Sequence, residues 1–181
     1  MTEQQKKFIE SEILNWSILA GLSRGVNVYK KGAEEKNKKP FKSFLKKEIP
    51  RRFGNSYGFD SSTHVGNLKK LKEDIDRIYA SILNLNNKQK IYFGRVQKIV
   101  NLYLKYRWVC FKDPKPVHCP FDSIILHKGL GLKDIFWTKM TEEEYSGRVL
   151  MKAEKVAGGF EKIADWEINF FNRTNENYFN D

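Results

Sequence analysis

Long apolar runs are missing from this chain of 181 residues. No stretch approaches the ~18 residues that would cross a bilayer as a helix, so no membrane partner is expected. The opening segment MTEQQKKFIESEI is charged and lacks the apolar core of a signal peptide. Cysteine is scarce: Cys110 and Cys119 are the two present, too few for a disulfide framework. Free thiols and a cytoplasmic, intracellular setting are the expectation. Three histidines and two cysteines do not fall in the paired spacing of a structural zinc site, and the adjacent His118-Cys119 is a poor chelate. No metal or other cofactor is expected. Neither a phosphate-loop glycine pattern nor a dinucleotide fingerprint occurs, which argues against a nucleotide-driven enzyme. Internal repeats, low-complexity linkers and convincing two-residue alternation are also lacking.

What the chain does contain is aromatic and basic. Its 13 Phe, 8 Tyr and 4 Trp, within 40% hydrophobic residues, supply a real core and exclude a disordered chain. One domain over residues 1–181 is expected, with room for two lobes. The net charge of +11 is uneven: residues 1–112 hold 24 Lys+Arg against 10 Asp+Glu, and residues 113–181 hold 9 against 12. An even solubilising coat would not divide this way. A polyanion fits the basic part, and nucleic acid is the commonest one inside cells; a lysine-rich solvated surface is the competing explanation.

Helical periodicity dominates. Apolar positions predict helices over 3–22, 40–49, 62–82, 88–109, 121–128, 142–157 and 160–172, an all-α bundle of about seven helices. Pro50 is expected to stop the second helix, and Ser62 or Thr63 to cap the third. Gly94 marks either the true start of the fourth helix or a close backbone contact. Thr141 and Glu144 make a capping-box pattern for the sixth. Prolines 114, 116 and 120 forbid helix in the loop that enters Pro120-Phe121-Asp122.

Three features carry candidate chemistry. Lys38, Lys39, Lys42, Lys46, Lys47, Arg51 and Arg52 crowd one segment and suit phosphate contacts, with Arg95 further on. They carry no base information, and a solvated helix face is the plain alternative. Phe53, Tyr57 and Phe59 lie among glycines beside two arginines; they are either base-stacking rings or core. Lys98 and Asp122 are a potential nucleophile and acid. An amine gains nucleophilicity where burial or positive neighbours depress its pKa, and a carboxylate stabilises a cationic sugar. As separate residues, Lys98 is equally a surface lysine and Asp122 a helix cap. Cys110 with His118 is a weaker nucleophile–base pairing, and Ser123 is read as a cap.

The order Gly94, Lys98, Asn101, then Pro120-Phe121-Asp122 and an apolar helix resembles the helix-hairpin-helix DNA glycosylase superfamily. The likeness covers about 37 residues, from Gly94 to Leu130. The Gly-apolar-Gly hairpin is absent, and Leu85-Asn86-Asn87-Lys88 stands where it would be. The resemblance implies a helix-hairpin-helix glycosylase-like fold with a site between helices 88–109 and 121–128. It implies DNA repair: double-stranded DNA as partner and removal of a damaged or modified base, with Lys98 as Schiff-base nucleophile and Asp122 as catalytic acid. Two alternatives stay open: a non-catalytic nucleic-acid-binding module, and an interaction protein with a basic face.

Overall fold

The computed structural model describes residues 1–23, 27–54, 60–84 and 90–175. These residues are all-α. No strand occurs among them, and one isolated bridge, Tyr29 to Leu83, ties two loops together. Tyr57, Phe59 and the segment Leu85–Lys88 lie outside the described residues.

Helix α1, Glu3–Leu22, matches its expected bounds. Thr2 Oγ1 accepts from the Gln5 N–H, and the Gln5 side chain accepts from the Thr2 N–H, which satisfies two orphan donors at once. Helix α2, Glu35–Phe53, is longer than expected and runs through both Pro40 and Pro50. Each proline removes a backbone donor, at a cost of about 3 kcal/mol in a helix interior. The counterweight is the stripe Phe41, Leu45, Ile49 and Phe53, spaced four apart and each 0% exposed. Burying one such side chain contributes about 1.5–3 kcal/mol, so the stripe outweighs the prolines. Phe53 therefore belongs to the core rather than to a base-stacking loop.

Helix α3 is Ser61–Tyr79. Its cap is Asp60, which accepts from the Thr63 N–H at 2.7 Å, in place of Ser62 or Thr63. Helix α4, Phe93–Phe111, starts five residues after the expected position 88. Gly94 meets both readings offered for it. It lies in the first turn, its N–H donates to Met140 O at 3.0 Å, and a Cβ there would collide with the Trp137 carbonyl oxygen. The late start puts Lys98 in the second turn of α4 rather than its middle.

Helix α5, Ile124–Gly129, is a single wide π-type turn, shorter than the expected 121–128. Helix α6 runs continuously through Glu142–Glu144, a π-type turn Tyr145–Val149, and Leu150–Ala157. Its capping box is as expected, with Glu144 N–H donating to Thr141 Oγ1 at 3.1 Å and Thr141 N–H donating to the Glu144 carboxylate at 2.8 Å. A tight turn at Phe160–Lys162 leads into α7, Ile163–Asn175.

Helix α4 is the axis of the molecule. Every residue from Phe93 to Asn101 is buried, polar ones included. Helix α1 packs antiparallel against it: Gly21 lies over Ile99 at one end, and Glu10 pairs with Arg107 at 3.3 Å at the other. One hydrophobic cluster extends from Ile13 on α1 to Ile163 on α7.

Candidate active site

The buried polar residues of α4 decide where Asp122 stands. Gln97 and Asn101, one turn apart on one face, reach the loop before α5. Gln97 Nε2 donates to Phe121 O at 2.8 Å, and its Oε1 accepts from the Phe121 N–H at 3.2 Å. Asn101 Nδ2 donates to Cys119 O at 2.9 Å. These bonds clamp residues 119–121 in place of a strand partner. Behind them lies a network that is buried up to its Ser61 end: Asn101 Oδ1 to His64 Nε2, Tyr145 Oη to His118 Nδ1, and His118 Nε2 to the half-buried Ser61 Oγ, each 2.8 Å. Burial holds the His64 imidazole down at about 4, despite its bond to Asn101. Burial also holds His118 well below its ordinary range.

With its loop clamped, Asp122 meets Lys98. Asp122 Oδ2 accepts from Lys98 Nζ at 2.7 Å. Its Oδ1 accepts from the N–H groups of Ile124 and Ile125 at 3.0 and 3.2 Å, at the start of α5. The two readings of Asp122 are thus divided between two oxygens: one caps the helix, the other holds the lysine. Burial pushes the Asp122 carboxyl up, but Lys98 and the two backbone donors outweigh it and hold the group below the usual carboxylate range. Ser123 is exposed at the cleft edge and makes no capping bond.

This pair lines a cavity of about 530 Å³ between α4, the start of α5, α7 and the end of α1. Leu102, Tyr106, Pro120, Trp137 and Phe171 form much of its wall. Ala20 closes one side, and Trp16, one turn earlier on the same face of α1, stands 60% exposed. A volume of this size holds a ligand of nucleoside dimensions, since small-molecule sites span roughly 300–1,000 Å³.

A second ion pair shares the cavity, and sequence reasoning did not find it. Lys105 Nζ lies 2.8 Å from both Glu167 oxygens. Glu167 is 2% exposed, and burial pushes its carboxyl above the ordinary range although Lys105 pulls the other way. The signal was a charged residue at a core position of the α7 stripe, four after Ile163. Gln97, His64 and Tyr145 were missed for a related reason, and Asn101 was named in the resemblance without a role: each is a polar side chain on a face that periodicity assigns to the core.

The predicted nucleic-acid contacts fare unequally. Arg95 is corrected: it is 0% exposed, its Nη1 donates to Gly21 O at 2.9 Å, and its guanidinium lies over the Trp137 ring. It braces α1 against α4 and has no surface for a phosphate. Arg51 and Arg52 converge on Glu48, and Arg52 also reaches Asp74. Lys38 and Lys42 both lie near Glu35, at 3.7 and 3.4 Å. Lys39, Lys46 and Lys47 are exposed on α2. Cys110 is exposed at the end of α4, whereas His118 is buried with both ring nitrogens engaged, so these two do not form a nucleophile–base pair.

Among the described residues no helix is long and apolar enough to cross a membrane, and no group of three His, Cys, Asp or Glu side chains is placed to hold a metal ion. Comparison with protein-family models, curated proteins and solved structures gave no match.

Proposed function

We propose that this protein binds double-stranded DNA and removes a damaged or modified base, with Lys98 and Asp122 at the reacting sugar. The observation that carries the reading is the 2.7 Å contact between two residues 24 positions apart, inside a concave, aromatic-walled cavity. Extruding a base into such a cavity costs a few kcal/mol of unstacking, which aromatic walls offset by stacking.

The chemistry follows from the pair. Asp122 is ionised in the resting pair and faces the sugar, where positive charge develops as the bond from C1′ to the base nitrogen breaks. The electron pair leaves with the base. Lys98 Nζ passes a proton to Asp122 Oδ2, which hands it to the departing base, and the freed amine attacks C1′. Asp122 then takes a second proton from the bound amine and gives it to the ring oxygen as the C1′–oxygen bond breaks, leaving the Schiff base and an ionised Asp122. The capping bonds to Oδ1 keep the carboxylate oriented throughout. The exposed lysines of α2 contact phosphates outside the cavity.

Asp122→Asn tests this reading. The amide oxygen still accepts from Ile124 and Ile125, so fold and duplex affinity are expected to persist. Base release from a panel of damaged duplexes falls by about 10²–10⁴-fold, the range for loss of a positioned acid or base. Salt-sensitive duplex binding with no base release by the wild type, across the panel, would instead favour the non-catalytic binding module. The eight basic residues of α2 against two glutamates favour that second reading next.

A further inference from the structure

The Lys105–Glu167 pair has no part in the chemistry at the sugar, yet it faces the same cavity. A buried carboxylate is costly unless its oxygens find donors. Here Lys105 sits between both oxygens, and Glu167 Oε2 makes no hydrogen bond of good geometry although it is buried. The pair is therefore a donor and an under-used acceptor side by side in the wall of the cavity that also holds Lys98 and Asp122. Its position along α4 is informative. Lys105 is seven residues after Lys98, which returns it to the same face about 10 Å further along the axis. Leu102, between them on that face, also lines the cavity with an apolar side chain. Seen from Lys98 and Asp122, the second pair thus lies where the far edge of a base would fall if its sugar carbon were held at the first pair. The length suits a two-ring base better than a one-ring base.

We propose that Lys105 and Glu167 are the specificity-determining residues of the cavity and read the edge of an extruded amino-bearing purine. Lys105 donates to a ring nitrogen or carbonyl, and Glu167 accepts from the neighbouring exocyclic amino group. The inference rests on the base-removal reading and says which class of base that site takes. A purine without the amino group leaves Glu167 unanswered and binds more weakly. One whose amino group is doubly methylated offers no donor and does the same.

Equilibrium dialysis tests this with three free bases: adenine, unsubstituted purine and 6-dimethylaminopurine. The receptor is the full-length protein bound to a duplex with a tetrahydrofuran abasic analogue. Wild type is expected to hold adenine about tenfold more tightly than either comparison base, the scale of one paired base edge. Lys105→Met/Glu167→Leu removes both charges together, so no ion is left unpaired, and the preference falls to within about twofold. Glu167→Gln retains an acceptor and a donor for the same edge and keeps the preference. Equal binding of the three bases by wild type, or no binding of any, overturns the proposal without recourse to a variant. So does a preference that survives in the double variant. Failure of the base-removal reading shows separately, as adenine preference intact with no base released from any duplex.

Discussion

Two lysine–carboxylate pairs stand two turns apart on one face of α4, and they differ in everything but their composition. In the first, Asp122 is 24% exposed at its side chain, is anchored by two backbone N–H groups, and is held more acidic than usual. In the second, the Glu167 side chain is 3% exposed, shares one lysine between both oxygens, and is pushed less acidic by burial. Environment alone has driven two carboxyls of one cavity in opposite directions. Such divergence is how a single site assigns different work to similar groups. An ionised, anchored carboxylate suits charge stabilisation at a sugar. A buried, sparsely bonded one suits recognition.

The largest expected effect breaks the first pair. Lys98→Gln is expected to lower base release by about 10²–10⁴-fold. Its stability cost is small, because Asp122 keeps its two backbone donors and remains partly in water. Breaking the second pair inverts this pattern. Lys105→Ala strands the Glu167 carboxylate inside the protein, and chemical denaturation at neutral pH should show a loss of about 3–5 kcal/mol. Glu167 has its folded pKa raised, so the strain in that variant arises when the group ionises. Stability lost by Lys105→Ala is accordingly expected to return as the pH is lowered through the folded pKa of Glu167. No comparable recovery is expected for Lys98→Gln. Equal destabilisation of the two variants would remove the distinction between the pairs.

The platform behind Asp122 has its own signature. His64 has its pKa depressed from 6.5 to about 4. The unfolded chain therefore binds a proton at this residue over that window and the folded chain does not, so stability is present above pH 6.5 and lost as pH falls toward 4. His64 alone contributes on the order of 3 kcal/mol to that loss. Replacing it with Gln, which retains a donor toward Asn101, should flatten this limb of a pH–stability curve. The smallest effects belong to α2. Lys46→Ala and Lys47→Ala should each weaken duplex binding and reduce the slope of log affinity against log salt by about 0.9 if the residue contacts a phosphate. Lys42→Ala should do less, since Lys42 is already engaged with Glu35.

Local chemistry was legible in the sequence where one residue decides one bond. Helix α1 kept its expected bounds, and the Thr141–Glu144 box opens α6. Where local and tertiary terms compete, the sequence reading failed in a consistent way. Pro40 and Pro50 are helix breakers by local rule, but four core side chains carry α2 through both. Helix α4 starts at Phe93, and Gly94 in its first turn approaches the Trp137 backbone, a contact that spans 43 positions. The Lys98–Asp122 pair was offered on residue chemistry and strengthened by the resemblance, because neither residue announces the other locally. Glu167 and Asn101 were invisible to hydrophobic periodicity, which treats a polar residue on a core face as noise. In this molecule those residues build the site.

Borohydride trapping on a duplex with one abasic site is the most direct test of the central claim, that Lys98 and Asp122 form a reacting pair. The abasic sugar presents its aldehyde, so the target base need not be known. A covalent protein–DNA adduct is expected with wild type, with its loss in Lys98→Gln and a strongly slowed yield in Asp122→Asn, all at unchanged duplex affinity. Duplex binding without an adduct in the wild type, or an adduct that persists in Lys98→Gln, would contradict it.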